Sequence, residues 1–316
     1  MGGPFAWGEG MSKTTSFTAA GSLPLKLVKN RGFLDALPDI RPVHVQFIPT
    51  NRCNLKCSFC SCANVDRGEE MRFAEIEVLI EHLAKVGTQS VTITGGGDPL
   101  MHPRIDDIIA KFAEHGIEMG LVTNGTLFGK VKPESLSLLT WCRISCSDER
   151  SLPDLSTVVQ ADTDWAFSYV LSAKPNLDNL RDHIEFAEAY GFTHVRVVSD
   201  LLDVEHSKVS EVREHFDSEL VIWQDRQEYT RGVKDCRISL LKPVIGPDGL
   251  VFPCCGVQYA QQEASLDLPE SMAMGYWGDI GNLTCFDGRQ CAKCYYEGYN
   301  TLLAALVSDI EHVPFV

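Results

Sequence analysis

An α/β protein built on a parallel sheet, with a smaller cysteine-bearing unit behind it, is what this sequence predicts. Three observations carry the prediction. Strand and helix signals alternate from Val43 onward, three cysteines stand within eight residues directly after the first strand signal, and further cysteines are dispersed over the last quarter of the chain.

Taken in order, residues 1–40 hold two glycine-rich stretches with no hydrophobic period and read as a tail followed by a short lead-in. The apolar run 43–48 reads as the first strand. Across 73–86 the apolar residues Ile76, Leu79, Ile80, Leu83 and Val86 recur every three or four positions, the period of a helix with one buried face, and Gly87 ends it. Strand signals follow at 90–94, 116–123, 142–146, 165–171 and 193–198, with helical segments such as 103–115 and 176–190 between them. A strand that must return to lie parallel to its neighbour needs a crossover, so this alternation argues for a parallel sheet. Active groups are then expected at the C-terminal ends of the strands.

Composition narrows the class. A chain of 316 residues can bury a large core, and 44% hydrophobic with 22% charged residues is ordinary for a globular protein. No apolar run is long enough to span a bilayer and no signal-peptide pattern opens the chain, so a cytoplasmic protein is expected. In that setting twelve cysteines read as metal ligands and reduced thiols instead of disulfides. The net charge of −15 argues against a nucleic-acid backbone as the main partner, because phosphate binding needs basic patches.

Cys53, Cys57 and Cys60 form a C-x3-C-x2-C run. Three thiolates so close can face one point only if the loop wraps around something, and thiolate is the usual protein ligand of an iron–sulfur cube. Three ligands would leave one iron open to a small molecule. A zinc knuckle or buried free thiols are the alternatives, although zinc sites favour four ligands with C-x2-C spacing.

Phe59, the aromatic just before Cys60, completes a loop that resembles the signature of the radical SAM enzymes, and the strand signal 43–48 leads into it as in that family. Gly95-Gly96-Gly97-Asp98, at the end of the second strand signal, resembles the family's Gly-Gly-Glu motif, which holds the amino group of S-adenosylmethionine (SAM). Asp98 stands where Glu is commoner and reaches one methylene less far. Six strand–helix units counted from Val43 match the family's partial (β/α)6 barrel. The resemblance implies SAM as cofactor and a [4Fe–4S] cluster on Cys53, Cys57 and Cys60. It also implies cofactor contacts from Phe59, Gly95, Gly96, Gly97 and Asp98, and from Asn124 in the Thr-Asn-Gly that ends the third strand. Ser145, Ser147 and Asp148 end the fourth strand, where relatives place polar groups on the SAM ribose, and strand alternation leaves the inward pair open. Arg196, mid-strand among apolar residues, points into the barrel or pairs outside it. Pointing inward it would bind the SAM carboxylate or a substrate anion, or act in acid–base chemistry. Cys62, Cys142 and Cys146 read as small buried hydrophobes, and His82, His102 and His115 as surface or capping groups.

Near the C-terminus, Val244–Pro253 reads as two short strands around a Pro-Asp-Gly turn. With Cys236, Cys254 and the Cys291/Cys294 pair it resembles the Twitch module of radical SAM enzymes, a short relative of the SPASM module. That likeness implies one auxiliary [4Fe–4S] cluster on those four cysteines, with Cys255 and Cys285 as spare thiols or substitute ligands; a zinc ribbon is the alternative. The expected organisation is a tail and lead-in at 1–40, a barrel at 41–225 and an auxiliary-cluster module at 226–316.

The expected activity is reductive cleavage of SAM and removal of a hydrogen atom from a small polar molecule, with net oxidation through the auxiliary cluster, as in sugar or aminocyclitol alcohol dehydrogenation. The resemblance implies a flavodoxin or ferredoxin as electron donor. A peptide- or protein-modifying maturase is the alternative enzyme, although about 40 residues before the barrel is short for a leader-binding domain. An iron–sulfur electron carrier without catalysis is the alternative from another class.

Overall fold

The computed structural model describes residues 25–34, 41–155, 161–225, 230–261 and 265–308. Most of the expected N-terminal tail and lead-in therefore lies outside the described residues.

Seven parallel strands run side by side: β1 (His44–Phe47), β2 (Ser90–Ile93), β3 (Glu118–Thr123), β4 (Trp141–Ser147), β5 (Asp164–Leu171), β6 (His194–Ser199) and β7 (Val221–Gln224). The helices α1 (Phe73–Val86), α2 (Ile105–Glu114) and α3 (Leu177–Ala189) return the chain between β1 and β2, β2 and β3, and β5 and β6. Each predicted element lies within a residue or two of its expected place. Gly87 ends α1 in the left-handed region at φ 88°, which a residue without a Cβ adopts at little cost. Asn176 starts α3 by accepting the Asn179 N–H at 3.1 Å.

Two features were not expected. β7 has too short an apolar run to register as a strand signal. The C-terminal hairpin, β8 (Val244–Ile245) and β9 (Leu250–Phe252), does not form a separate sheet. β8 pairs parallel with the free edge of β1, Gln46 opposite Val244 and Phe47 opposite Ile245. With β10 (Gly275–Tyr276) the order becomes β10-β9-β8-β1-β2-β3-β4-β5-β6-β7, an open sheet of ten strands. Such pairing covers an edge that would otherwise present unpaired backbone groups.

The two faces of the sheet differ in chemistry. Val45, Phe47, Val91 and Ile93 point to the helical side, where Ile76, Leu79, Ile80, Leu83 and Phe112 complete a dry core. The alternate residues His44, Gln46, Ser90 and Thr92 point the other way, since successive side chains of a strand face opposite sides. They line a cavity of about 760 Å³. A second apolar core joins Leu27 and Ile48 to Ile238, Leu241, Phe252, Phe286, Tyr296 and Leu303, the last from α4 (Glu297–Leu306). It packs the C-terminal segment against that cavity, whose wall includes Cys255, Tyr295 and Tyr296.

Candidate functional site

The cysteine loop follows β1 and is tied to the end of β2. Gly97 N–H donates to Thr50 O at 3.3 Å and Asp98 N–H to Arg52 O at 2.9 Å. The approach is too close for side chains: a Cβ on Gly96 would overlap Asn51 Oδ1, and one on Gly97 would overlap Arg52 O. The glycine run therefore lets two backbones touch just ahead of Cys53. Arg67 clamps the same region by donating to Asn51 O at 3.1 Å, Gly96 O at 2.7 Å and Cys62 O at 2.9 Å. Its guanidinium also stands 3.9 Å from Cys60 Sγ. Nothing in its sequence context signalled Arg67.

Cys53, Cys57 and Cys60 are free thiols, partly open to solvent. Burial raises the pKa of Cys57, the Arg150 cation opposes this, and the thiols of Cys60 and Cys53 add to the rise. Among the described residues no three His, Cys, Asp or Glu side chains converge where a single metal ion would be held. Cysteine thiolates are the usual protein donors of an iron–sulfur cluster. The donor set, all sulfur and three to a loop, fits the cube.

Asp98 occupies a place the motif did not suggest. It is 2% exposed, and both carboxylate oxygens are used inside the protein. Oδ1 accepts from Leu100 N at 2.9 Å and Thr123 Oγ1 at 3.0 Å; Oδ2 accepts from Thr123 Oγ1 at 2.8 Å and Asn124 N at 2.7 Å. Burial raises its pKa and these bonds oppose the rise. Asp98 thus braces the turn that presents Asn124, whose amide donates to Asn54 Oδ1 at 3.0 Å and lies 4.0 Å from Cys53 Sγ.

Asn124 and Ser145 line a pocket of about 420 Å³ together with Glu149 and Arg150. Ser58 of the cysteine loop donates to the Glu149 carboxylate, and Arg150 donates to Ser145 O at 2.8 Å. Ser147 is 1% exposed, and among the described residues its hydroxyl has no hydrogen-bond partner. Asp148 turns aside, its Oδ2 accepting from Ser172 Oγ at 2.6 Å. Of the three residues expected near the ribose, the structure therefore brings Ser145 to the pocket. Glu149 and Arg150, one and two positions further on, were missed.

Arg196 points into the 760 Å³ cavity and donates to Ser168 Oγ at 3.2 Å. Ser145, Ser168 and Arg196 are register partners on β4, β5 and β6, so one row of the sheet joins the smaller pocket to the larger cavity. His102 departs from expectation: it is 3% exposed and bonds Met71 O at 3.0 Å, because the helical turn Pro99–Met101 folds it under the core. Cys62, Cys142 and Cys146 are buried as expected. Cys62 also bonds Gly95 O at 3.6 Å and accepts from Gln258 Nε2 at 2.9 Å, linking the cysteine loop to the C-terminal segment.

The C-terminal cysteines come together from three stretches of chain. A Cβ on Gly288 would touch Cys236 Cβ, one on Gly232 would touch Cys291 Cβ, and Gly232 N–H donates to Cys291 O at 3.0 Å. Burial pushes Cys236 up to about 11, with Cys294 and Cys285 adding; it pushes Cys291 up to about 12, with Cys294 and Cys236 adding. Cys254 is raised by burial and then by Cys255, Cys236 and Cys291. N–H groups are aimed at the sulfurs: Asn300 Nδ2 at Cys236 (3.5 Å), Gly256 N at Cys254 (3.3 Å), and Tyr296 and Glu297 N at Cys294. Donors placed this way stabilise thiolates and cluster sulfurs. Cys255 faces Tyr296 Oη at 3.5 Å, and Cys285 stands beside Cys236.

Comparison with known proteins agrees with this geometry. The model of the Radical SAM superfamily matches residues 47–145. A probable GTP 3',8-cyclase of Methanocella arvoryzae is 28% identical over 149 residues, 47% of this chain and 44% of that protein. A 7-carboxy-7-deazaguanine synthase of Rhodopirellula baltica is 33% identical over 110 residues, 35% of this chain and 42% of that protein. The chain thus spans less than half the length of these curated relatives. Among solved structures, Streptococcus suis SuiB bound to precursor peptide SuiA superposes with a TM-score of 0.53 at 17% identity, covering 87% of this chain and 76% of that one. Native anSMEcpe with bound AdoMet and Kp18Cys peptide gives 0.51 at 14% identity, covering 87% and 86%. At such identities the likeness is one of fold.

Proposed function

We propose that the chain is a radical SAM enzyme that removes a hydrogen atom from a small polar substrate held in the barrel cavity, with net oxidation of that substrate. The observation that carries this reading is the union of three free thiols, on a loop pinned to the glycine strand end, with two cavities joined through one row of the sheet. Cys53, Cys57 and Cys60 would hold a [4Fe–4S] cluster, whose chemistry is one-electron reduction of SAM to methionine and a 5′-deoxyadenosyl radical. The protein's own part is placement. Asn124, Ser145, Glu149 and Arg150 shape the SAM pocket, Asp98 fixes the turn that carries Asn124, and Arg196 faces the substrate. Tyr295 and Tyr296 line the cavity, where their rings would limit water.

Loss of a hydrogen atom, then of a proton and an electron, amounts to oxidation of an alcohol to a ketone. Cys236, Cys254, Cys291 and Cys294 would hold the second cluster as the electron acceptor, and the same segment lines the cavity through Cys255. A peptide substrate is the second reading, favoured by the two peptide complexes among the structural neighbours. A cavity volume of about 760 Å³ suits a small molecule.

The test is anaerobic reconstitution with iron and sulfide counting, followed by SAM and dithionite and an assay for 5′-deoxyadenosine. About eight irons per chain with 5′-deoxyadenosine formed are expected. About four irons with cleavage would remove the second cluster; no cleavage, or zinc in place of iron, would overturn the assignment.

A further inference from the structure

The chain carries a net charge of −15, yet the described residues of the cavity wall are more often basic than acidic. Among the described residues its wall holds four cationic side chains, Lys26, Arg143, Arg196 and Lys242, and a single acid, Glu118. Glu118 is exposed at the start of β3, at the end of the sheet away from the cysteine loop.

Arg143 is the centre of this field. It lies on β4 two residues before Ser145, on the same face, with Ala166 and His194 as its register partners across β5 and β6. Trp141, packed flat against Gly120, carries the guanidinium 5.2 Å from its ring centroid. Burial lowers Arg143 to about 10, which leaves it charged at neutral pH. Among the described residues its buried Nε has no hydrogen-bond partner, and no carboxylate pairs with it. Burial, then the charges of Arg143 and Arg196, hold His194 down to about 3, so the two arginines press on one point. At the other end, burial with Lys242 and Lys26 holds His44 down to about 3. A buried guanidinium with unused donors is costly unless something supplies an acceptor. The planar fork of arginine matches a carboxylate or a phosphate through two parallel bonds.

We infer that the substrate of this cavity carries an oxyanion, a carboxylate or a phosphate, seated on Arg143, and that this contact turns its reacting carbon toward the Ser145–Ser168–Arg196 row. The inference rests on the cavity being the substrate site proposed above. It assigns Arg143 as the residue that selects anionic substrates.

Equilibrium dialysis of the reconstituted full-length chain against radiolabelled succinate and, separately, radiolabelled inorganic phosphate tests this. One of the two is expected to saturate at one site per chain, which also identifies the anion class. Arg143→Gln should weaken that binding at least tenfold, Arg143→Lys should retain most of it, and Lys242→Gln should weaken it about threefold, in line with a more distant charge. Failure of both anions to saturate on the unmodified protein overturns the inference without recourse to any variant. So does unchanged affinity in Arg143→Gln, or displacement of the anion by SAM, which would give Arg143 to the SAM carboxylate. The unmodified protein's 5′-deoxyadenosine assay runs in parallel. Cleavage without anion binding sinks this inference alone, and anion binding without cleavage sinks the radical reading alone.

Discussion

The two cysteine sites of this molecule are built in opposite ways. Cys53, Cys57 and Cys60 belong to one loop, are partly exposed, and are held from behind by backbone contacts to Gly97 and Asp98 and by Arg67. Cys236, Cys254, Cys291 and Cys294 arrive from separate segments, sit in or against an apolar core, and receive N–H groups from Gly256, Tyr296, Glu297 and Asn300. A partly exposed loop with three thiols would, holding a cluster, leave room for a further molecule at the metal. Four thiols, two buried and two partly buried, with donors aimed at three of the sulfurs, would leave none and suit a site that only exchanges electrons. The difference teaches where each site's information lies: the first in a short stretch of sequence, the second in the fold.

The largest expected effects come from breaking each site in turn. Replacing Cys53, Cys57 and Cys60 by alanine should drop 5′-deoxyadenosine to the level without enzyme. Because these side chains are partly exposed, the urea midpoint of the metal-free protein should move by no more than about 0.5 kcal/mol equivalent. Cys236→Ala should do the reverse. Cleavage persists and product is lost, while the metal-free protein is destabilised by about 1–3 kcal/mol through a lost core contact. Product formation by Cys236→Ala at the unmodified rate would end the electron-acceptor reading.

Next in size is Gly96→Ala. Its methyl group would enter the space of Asn51 Oδ1, so the β2 end and the cysteine loop cannot both keep their places. A destabilisation of about 1–3 kcal/mol is expected from overpacking, with weakened SAM binding measured by dialysis. Normal stability and normal SAM affinity would show that the close approach is not needed.

Asp98→Asn gives a smaller and more informative change. The carboxamide offers an N–H₂ where Asn124 N–H or the Thr123 hydroxyl now donates, so the turn loses an acceptor at a cost of about 1–3 kcal/mol. If Asp98 braces Asn124, as its bonds indicate, thermal stability falls while the KM for SAM rises only with the disturbed turn, and Asn124→Ala reproduces the KM change. A tenfold rise in KM with unaltered stability would instead put the carboxylate on the ligand.

What was legible in the sequence follows the same division. The helix period in α1, its end at Gly87 and the alternation that defines a parallel sheet are local signals, and the structure bears them out. The C-x3-C-x2-C loop and the glycine run are local too. Arg143, Arg150 and Arg67 escaped because their roles depend on register and on contacts between distant segments. Arg143 carried the same signal that singled out Arg196, a cation inside an apolar strand, and alternation with Ser145 would have placed both on the inner face. The pairing of β8 with β1 was invisible because a two-residue strand owes its existence to the edge it covers. Asp98 owes its place to contacts that the motif does not name: its short side chain accepts from the Thr123 hydroxyl and the Asn124 N–H.

The smallest effect tests whether the two sites share one folding unit. β8 joins the C-terminal hairpin to β1, so the sheet is continuous from one site to the other. His44 on β1 and His194 on β6 are both held near 3 by burial and by neighbouring cations. A histidine with a lowered folded pKa is neutral in the fold, whereas the unfolded chain takes up a proton near pH 6.5. Unfolding therefore binds protons below that pH, and the stability tied to these groups is present above about 6.5 and lost progressively as the pH falls toward 3. Asp98, raised by burial, works against this trend, because it protonates more readily in the fold. The urea midpoint should decline from pH 7.5 to 5.5, and the double substitution His44→Gln, His194→Gln should flatten the decline. Because the strands are continuous, the thiols of both sites should become reactive in one transition at each pH. Two transitions, with the C-terminal thiols released first, would mean that β8 merely rests on β1 and that the sites fold apart.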